Sequence, residues 1–332
     1  MMKTRKIGQF TVGEIGLGCM NLSHAYGDPT TPEDAVKVLH KAVDLGVTHF
    51  DSAALYGFGK NEELVGPTLK GVRDQIHLAS KCGMTGIDGK RVIDGRPETL
   101  RKTIDEALTR LQTDVIDLYY LHRYDKLNAI PIEESVGEMG RMVEAGKIRD
   151  IGLSEVSAAT LKKAHREHPI AVVQSEYSLW SRNVEIGVLN ACEEIGAAFV
   201  AFSPLARGFL TRTDINPAAF SEKDIRRGMP RFNEPHLAHN QKLLPEFRQA
   251  AKEEECTPAQ LALAWLLNKS PNIIPIPGTT SADHLEENIN AAQIRLSSER
   301  EDQIEALINE RSISGGRYPG PTQREVDTEE FA

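Results

Sequence analysis

Three consecutive apolar runs of the sequence end beside side chains that can take part in proton transfer. Asp51 and Tyr56 follow the first run. Lys81 ends the second run, and His122 ends the third. A tyrosine has an ordinary pKa of about 10, and a neighbouring lysine, held in place by an aspartate, favours the phenolate and lowers that pKa. An imidazole can hydrogen-bond a carbonyl oxygen on which negative charge develops. These residue types together predict a site that donates a proton during carbonyl reduction.

The elements that must position these side chains are predicted from short apolar runs that alternate with amphipathic stretches. Strands are predicted near residues 13–19, 47–52, 76–81, 115–122, 149–154, 171–177, 198–203 and 273–277. Helices are predicted over residues 32–46, 61–70, 98–112, 131–145, 157–167, 184–196, 258–269 and 282–291. Eight strands that are each followed by a helix predict an α/β fold, the (β/α)8 TIM barrel, in which the carboxyl ends of the strands meet at one mouth.

The same alternation also fits a doubly wound sheet of the Rossmann type. Such a domain carries the glycine pattern GxGxxG after its first strand. The sequence there reads Gly16-Leu17-Gly18-Cys19-Met20-Asn21, which does not match the pattern. The sequence therefore favours the barrel.

Three segments lie outside the barrel pattern. Alternating residue types over 3–12 predict an N-terminal β-hairpin that closes the bottom of the barrel. Residues 205–257, after the seventh strand, predict a long loop with an extra helix near 242–255, and loops of this length are often binding loops or lids. The turn-rich residues 312–332 predict an irregular C-terminal tail. All these segments are assigned to one domain over residues 1–332.

Composition and charge argue against several classes of protein. The chain has 332 residues and a formal net charge of −9, so no overall basic field attracts nucleic acid or an anionic membrane. No apolar run approaches the roughly 18 residues of a membrane-spanning helix, and the N-terminus lacks the apolar core of a signal peptide. The four cysteines are far apart and form no CxxC pair, which is typical of reduced thiols in a cytoplasmic protein.

No metal site is predicted. His165 and His168 have a helix-compatible spacing, but they stand on a polar stretch without a nearby set of cysteines or carboxylates. The sequence also lacks a GxSxG elbow and a P-loop, so acyl transfer and phosphoryl transfer by those routes lose support. Reduction of a carbonyl without a metal or an internal redox group needs a hydride donor from outside the protein.

The proton-transfer residues stand in motifs that resemble those of the aldo-keto reductases, and the resemblance runs from Gly16 to about Asn288. The motifs occur in the family's order: Gly16-Leu17-Gly18-Cys19-Met20, Asp51-Ser52-Ala53-x-x-Tyr56-Gly57, Leu121-His122-Arg123, Gly146 to Glu155, Gln174 to Trp180, Phe202 to Gly208, and Ile274 to Thr279. The segments around Glu155, Gln174 and Arg207 resemble most the perakine-reductase-like branch.

The resemblance implies that Asp51, Tyr56, Lys81 and His122 are the catalytic tetrad and that a nicotinamide cofactor lies across the barrel mouth. It further implies that Ser154 and Gln174 bind the carboxamide and that Phe202 stacks on the nicotinamide. The remaining implied cofactor contacts are Gly18, Met20, Asp51, Ser203, Leu205, Arg207, Gly208, Gly278, Thr279, Thr280, His284, Glu287 and Asn288.

The adenosine end departs from the family pattern. Members that hold a 2′-phosphate usually have Lys or Arg shortly after the turn that matches Pro277-Gly278-Thr279, and an Arg four residues before the Asn that matches Asn288. This sequence has Thr280, Ser281 and His284 instead. Hydroxyls and a helix N-terminus can hold a phosphate, although the bidentate arginine clamp is missing. The resemblance favours NADP(H), and NAD(H) or dual use is the alternative.

The leading prediction is an oxidoreductase that interconverts a small-molecule aldehyde or ketone with its alcohol. One alternative is a cofactor-binding auxiliary subunit that senses redox state for a membrane channel, because an intact tetrad occurs in such proteins too. Another is a physiological dehydrogenase that oxidises a sugar or an alcohol. No motif specifies an oligomeric state.

Overall fold

The structure is a computed structural model that describes residues 2–87, 89–211 and 215–331. Within these residues the strands are β1 (Thr4–Ile7), β2 (Phe10–Gly13), β3 (Leu17–Gly18), β4 (His49–Asp51), β5 (His77–Cys82), β6 (Met84–Ile87), β7 (Lys90–Ile93), β8 (Ile116–Leu121), β9 (Ile148–Ser154), β10 (Val172–Glu176), β11 (Ala198–Phe202) and β12 (Ile273–Pro275). The helices are α1 (Pro32–Asp44), α2 (Lys60–Leu69), α3 (Pro97–Leu111), α4 (Ile132–Glu144), α5 (Ala158–Glu167), α6 (Val188–Ile195), α7 (His236–Gln241), α8 (Leu244–Glu253), α9 (Pro258–Lys269), α10 (Ala282–Asn290), α11 (Ser298–Leu307) and α12 (Gly320–Gln323).

Eight strands form one parallel sheet in the order β3-β4-β5-β8-β9-β10-β11-β12. The first and last strands of this order also meet, because the Gly16 N–H donates to the Pro275 carbonyl oxygen over 3.0 Å. The two strands approach closely at this junction, because a Cβ at Gly18 would lie 2.7 Å from the Ile276 carbonyl oxygen. The sheet therefore closes on itself, and the predicted (β/α)8 barrel is confirmed.

The helices pack around the barrel, and local signals define their starts. Proline stands in the first turn of α1, α3 and α9, where its missing N–H costs nothing. Thr257 and Gln260 form a reciprocal capping box at the start of α9. The extra helix predicted after the seventh strand is α8, which follows the shorter α7. None of the helices in the described ranges is long and apolar enough to cross a membrane.

The interior of the barrel is filled by alternate residues of its strands. The buried interior group contains Ala79, Leu118, Tyr120, Val172, Ala198, Val200, Ile274 and Ile276, together with Ile7 and Val12 of the β1–β2 hairpin. The hairpin therefore closes the bottom of the barrel, as predicted. The residues that alternate with these along the strands, such as Phe50, Tyr119 and Phe199, point outward and pack against the helices.

A pair of buried histidines lies at the bottom of the barrel. His49 and His77 begin the adjacent strands β4 and β5, and their Nδ1 atoms are 2.9 Å apart. Phe10 of the hairpin contacts His77, with ring centroids 4.7 Å apart. Burial lowers the pKa of His49 to about 4 and holds the pKa of His77 well below its usual value. Both rings are therefore neutral near neutral pH, and one Nδ1–H donates to the other Nδ1.

The structure differs from the prediction in several elements, among them a shortened helix, an unpredicted hairpin and the unpredicted helix α11. The helix predicted over 184–196 begins only at Val188, because a 3-10 turn at Asn183–Glu185 precedes it and Gly187 has a non-helical backbone. The antiparallel β6–β7 hairpin is not predicted by the sequence. Its strands have four residues each and lack apolar alternation, so no periodic pattern identifies them.

The tail from Ser312 to Phe331 contains one short helix, α12, and otherwise turns and irregular chain. Its acidic side chains contact the start of α5. The Ser157 N–H donates to Asp327 Oδ2 over 3.0 Å, and the Ala158 N–H donates to Glu329 Oε1 over 2.7 Å. Carboxylates are favourable there because the first N–H groups of a helix have no partner within it. These contacts hold the tail on the mouth side of the barrel.

Candidate active site

A cleft of about 880 Å³ lies at the carboxyl ends of the barrel strands. Of the four residues predicted to act in proton transfer, Asp51, Tyr56 and His122 line it, and Lys81 is completely buried next to them. The residues that the resemblance implies for a cofactor line the same cleft: Gly18, Met20, Asp51, Ser154, Gln174, Phe202, Ser203, Leu205, Arg207, Gly208, Gly278, Thr279, Thr280, His284, Glu287 and Asn288. The structure thus brings the predicted site residues together.

Lys81 links the acid of this site to the phenol. Its Nζ lies 3.2 Å from the Tyr56 Oη and donates to the Ser52 carbonyl oxygen over 2.8 Å. It also forms a buried ion pair with Asp51. The second carboxylate oxygen of Asp51 accepts from the Gln174 Nε2 over 2.7 Å. These contacts hold the ammonium group against the phenol, where it can stabilise a phenolate.

The pKa of Tyr56 is raised, which corrects the expectation that Lys81 lowers it overall. Burial of the phenol raises this pKa, and the opposing effect of Lys81 is smaller. Burial alone would lower the pKa of Lys81, but Asp51 and Tyr56 raise it above its usual value. Near neutral pH, Tyr56 is therefore protonated and Lys81 is charged, which is the state that a proton donor needs before the reaction.

His122 is a neutral imidazole beside Tyr56. The two ring centroids are 5.9 Å apart and the ring planes are at 87°. Burial, together with the positive charges of Lys81 and Arg123, keeps the pKa of His122 well below its usual value. A neutral ring can donate an N–H to a carbonyl oxygen without competing with Tyr56 for the transferred proton.

The chain after β11 turns sharply at the edge of the cleft. Ser203, Ala206 and Arg207 have left-handed backbone conformations, with φ of 49°, 52° and 56°, and Gly208 follows with φ of 87°. Left-handed residues that carry a Cβ are strained and cluster at functional sites. Turns of this kind can form concavities of N–H groups that bind anions. Here the N–H groups of Ala206, Gly208 and Phe209 already donate to carbonyl oxygens within the turn, so only the remaining N–H groups of the segment are open to an anion.

A model of the aldo/keto reductase family matches residues 14–309. This chain belongs to the aldo/keto reductase family. It is 42% identical over 323 residues to the aldo-keto reductase yakc of Schizosaccharomyces pombe, whose name specifies NADP(+), and the match covers 95% of this chain and 94% of the relative. It is 40% identical over 312 residues to the probable aldo-keto reductase 1 of Glycine max, which covers 93% of this chain and 89% of that relative.

Solved structures of similar shape agree with this assignment. A glycerol dehydrogenase of Gluconobacter oxydans has a TM-score of 0.83 at 27% identity, with 92% of this chain and 94% of that one covered. An aldo/keto reductase of Klebsiella pneumoniae, solved in complex with NADP and acetate, has a TM-score of 0.72 at 28% identity, with 96% and 99% covered. The protein is therefore an oxidoreductase with the barrel fold of its family.

The reductase contains a buried charge network that no local sequence pattern reveals. Arg207 donates to Glu176 over 2.7 Å, and Arg317 of the tail donates to Glu155 over 2.7 Å. Burial alone would raise the pKa of Glu176, but Arg207 and Arg317 lower it to about 2. Arg207 thus lines the cleft with its charge already balanced. Both glutamates stand in motifs noted above, but their arginine partners come from segments far along the chain.

One end of the cleft is formed by the segment after β12 and by α10. Ser281 caps α10 by accepting from the His284 N–H over 3.3 Å, and Thr279 Oγ1 accepts from the Ser281 N–H over 3.1 Å. Among the described residues of 276–288 that line the cleft, His284 carries the single basic side chain. A phosphate bound here would meet hydroxyls, an imidazole and a helix N-terminus rather than an arginine clamp.

The long loop after β11 and the tail complete the walls of the cleft. The Ile225 N–H donates to the Ala25 carbonyl oxygen over 2.9 Å, so the loop reaches the segment that follows β3. Tyr318 of the tail lines the cleft and accepts from Arg207 over 3.3 Å. These segments enclose the space beside Tyr56 in which a substrate can bind.

Proposed function

We propose that this reductase transfers hydride between NADP(H) and the carbonyl carbon of a small aldehyde or ketone, with Tyr56 as the proton donor. The proposal depends on the contact of 3.2 Å between the Tyr56 Oη and the buried Lys81 Nζ at the wall of the cleft. Asp51, Tyr56, Lys81 and His122 are the proposed catalytic residues.

The chemistry of the cleft residues fits a nicotinamide cofactor. Ser154 and Gln174 supply a hydroxyl and an amide for the carboxamide, and Phe202 supplies an aromatic face for the ring. When bound, the reduced nicotinamide supplies the hydride. The remaining proposed contacts are Gly18 and Met20 near the cofactor, Asp51 beside the nicotinamide ribose, Ser203, Leu205, Arg207 and Gly208 for the pyrophosphate, and Gly278, Thr279, Thr280, His284, Glu287 and Asn288 for the adenosine end.

Tyr56 donates its proton to the carbonyl oxygen while the carbonyl carbon receives the hydride, so that the carbonyl group becomes an alcohol. Lys81 stabilises the phenolate that remains, and Asp51 keeps Lys81 charged and in place. His122 donates a hydrogen bond to the carbonyl oxygen and orients it. These interactions strengthen as negative charge develops on that oxygen, so they lower the barrier to reduction.

NADP(H) is the proposed cofactor because the Schizosaccharomyces pombe relative is named for NADP(+) and the Klebsiella pneumoniae structure holds NADP. The adenosine end of the cleft has no arginine or lysine among its described lining residues. We therefore expect only a modest preference for NADP(H) over NAD(H), and NAD(H) is the alternative.

A physiological alcohol or sugar dehydrogenase is the second candidate. The similarity to the Gluconobacter oxydans glycerol dehydrogenase favours it. The same residues then act in reverse: the Tyr56 phenolate accepts the proton of the alcohol, and the hydride leaves the carbinol carbon for the oxidised cofactor. The ratio of forward and reverse kcat/KM with each substrate distinguishes the two directions.

We also propose that residues 1–332 form one domain, that the protein works in the cytoplasm, and that it belongs to the perakine-reductase-like branch. The motifs around Glu155, Gln174 and Arg207 support the branch. The four free cysteines, of which Cys19, Cys82 and Cys192 are buried, support a reducing compartment.

The test is a panel of aldehydes, ketones and alcohols assayed with both nicotinamide cofactors in both oxidation states, followed by nicotinamide absorbance. We expect at least one carbonyl compound to be reduced with NADPH. If the protein binds a cofactor tightly but converts no member of a broad panel, the proposed activity is wrong and the redox-sensing subunit becomes the better hypothesis.

A further inference from the structure

Arg123 is a buried guanidinium at the wall of the cleft. It directly follows His122 at the end of β8, and only 8% of its surface is exposed. One terminal nitrogen donates to the His122 carbonyl oxygen over 2.7 Å and, more weakly, to the Ser154 Oγ over 3.3 Å. The Nε is buried and has no partner among the described residues. The guanidinium has five N–H donors, so these contacts leave most of its donor capacity unused.

The charge of Arg123 has no partner in the described part of the chain, unlike that of the other arginines in the cleft. Arg91 pairs with Glu325, Arg207 with Glu176 and Arg226 with Asp224. Arg123 forms no ion pair with any described carboxylate; its hydrogen bonds go to a carbonyl and a hydroxyl. Burying a charge without a counter-charge is costly. A bound anionic ligand would supply the missing counter-charge, so the site is suited to bind an anion.

The phosphates of a nicotinamide cofactor are not suited to be that anion. Under the proposed function they lie at the segment after β11 and at α10, whereas Arg123 follows β8. In the barrel, β9 and β10 separate β8 from β11. Arg123 instead shares its stretch of the cleft with His122, which orients the carbonyl, and with Ser154, which is assigned to the carboxamide. Arg123 is therefore placed to contact the substrate rather than the phosphates of the cofactor.

We propose that Arg123 recognises a carboxylate on the substrate and that the preferred carbonyl compounds are oxo acids. The flat guanidinium fork matches a carboxylate in a bidentate geometry. In this site it would hold the acid group while Tyr56 and His122 engage the carbonyl oxygen. The inference rests on the proposed carbonyl reduction and adds the class of substrate to it.

The test compares acids with their uncharged esters in the complete enzyme. Substrates are meta-formylbenzoate, para-formylbenzoate and succinic semialdehyde, each measured against its methyl ester with NADPH. The wild type is expected to favour at least one acid over its ester. In Arg123→Met, the acid-to-ester ratio of kcat/KM should fall by about 10- to 100-fold, the usual range for a charge-assisted contact. Arg123→Lys keeps the charge and should retain part of the preference.

Two controls separate recognition from general damage. Arg166→Met removes an exposed arginine on the outer helix α5 and should leave the ratio unchanged. In Arg123→Met, the acid-to-ester ratio of kcat/KM cancels any loss that affects both substrates equally, so damage to folding or to cofactor binding does not imitate a loss of carboxylate recognition.

An unchanged acid-to-ester ratio in Arg123→Met overturns the inference and leaves carbonyl reduction intact. If the wild type reduces neither acids nor esters, the proposed function itself has failed. Should Arg123→Met not fold, inhibition of the wild type decides: benzoate should inhibit ester reduction competitively and far better than benzamide. Equal inhibition by the two compounds overturns the inference.

Discussion

Lys81 is the buried positive charge of the proposed proton-transfer site. Its ammonium group is completely buried, so its charge acts on Asp51 and Tyr56 with little screening by water. Because burial raises the pKa of Tyr56, the phenol keeps its proton until the carbonyl oxygen becomes negative. In the proposed mechanism, Lys81 then stabilises the phenolate after the transfer, an effect that lowers the barrier without stabilising the resting state.

Replacing Tyr56 by phenylalanine removes the proton donor and keeps the ring. We expect kcat for a good carbonyl substrate to fall by about 10²- to 10⁴-fold, the usual contribution of general acid catalysis. The Kd for NADPH should hardly change. Tyr124→Phe, at a half-buried tyrosine that is not among the cleft residues, is the matched control. Near-full activity of Tyr56→Phe in steady-state assays would show that another group is the acid.

His284 is the single basic side chain among the described cleft residues of 276–288, where the 2′-phosphate is proposed to bind. His284→Arg introduces a cation at the start of α10, and a charge-assisted contact with the 2′-phosphate is worth roughly 1.5 to 3 kcal/mol. The Kd for NADPH should therefore improve by about one to two decades, while the Kd for NADH stays the same. Fluorescence titration with both cofactors measures the effect. Improvement for neither would place His284 away from the ribose phosphate.

At the scale of elements, the tail is bound to the barrel by buried charges as well as by the apolar packing of Tyr318 and Val326. Arg317 pairs with Glu155 at the end of β9, and the Lys126 Nζ donates to the Val326 carbonyl oxygen. The Asp327 N–H donates to the Glu155 carbonyl oxygen over 3.0 Å. These contacts place Tyr318 in the wall of the cleft, so an irregular segment acquires a defined position at the active site.

Arg317→Met breaks this attachment and leaves Glu155 buried without its main counter-charge. Removing one partner of a buried ion pair costs about 3 to 5 kcal/mol, which we expect as a loss in the free energy of unfolding by urea. Arg324→Met, at an exposed arginine of the same tail, should change it by less than about 0.5 kcal/mol. If Arg317→Met unfolds with the same free energy as Arg324→Met, the Arg317–Glu155 ion pair contributes little to stability.

At the scale of the whole molecule, the barrel separates the chemistry at its mouth from the packing at its bottom, as is general for this fold. The bottom has its own titrating groups, because His49 and His77 are buried beneath the β1–β2 hairpin and share one hydrogen bond. The unfolded chain binds protons at these histidines near pH 6.5, and the folded chain does so only at lower pH. Their contribution to stability is therefore lost as the pH falls from about 6.5 towards 4.

For His49 alone, the free energy of unfolding should fall by about 2 kcal/mol between about pH 7 and pH 5. His49→Leu/His77→Leu fills a similar volume without a titrating group, so the decrease over this range should be smaller in that variant. Urea unfolding at the two pH values measures both proteins. If the double variant keeps the full pH dependence of the wild type, other groups cause the acid lability.

The sequence by itself determined the barrel and most of the site, because both depend on local patterns. Apolar runs and helix-start signals mark the β/α units, and Asp51, Lys81 and His122 stand at or beside strand ends that a parallel barrel must gather at one mouth. Every residue that the family motifs implied for the cofactor lies at the cleft. The order of the motifs was sufficient to predict which residues lie at the cleft, because each residue is positioned by the strand or turn to which it belongs.

Only the tertiary structure decided the electrostatics and the partners. The pKa of Tyr56 rises because burial of the phenol outweighs the nearby ammonium group, and depth of burial is a property of the assembled barrel. Arg317 and Glu155 meet because the tail returns across the mouth, a contact between segments that no spacing rule relates. Likewise, that Arg123 has no counter-charge among the described residues becomes visible only in the folded chain, since pairing depends on distance in space and not along the sequence.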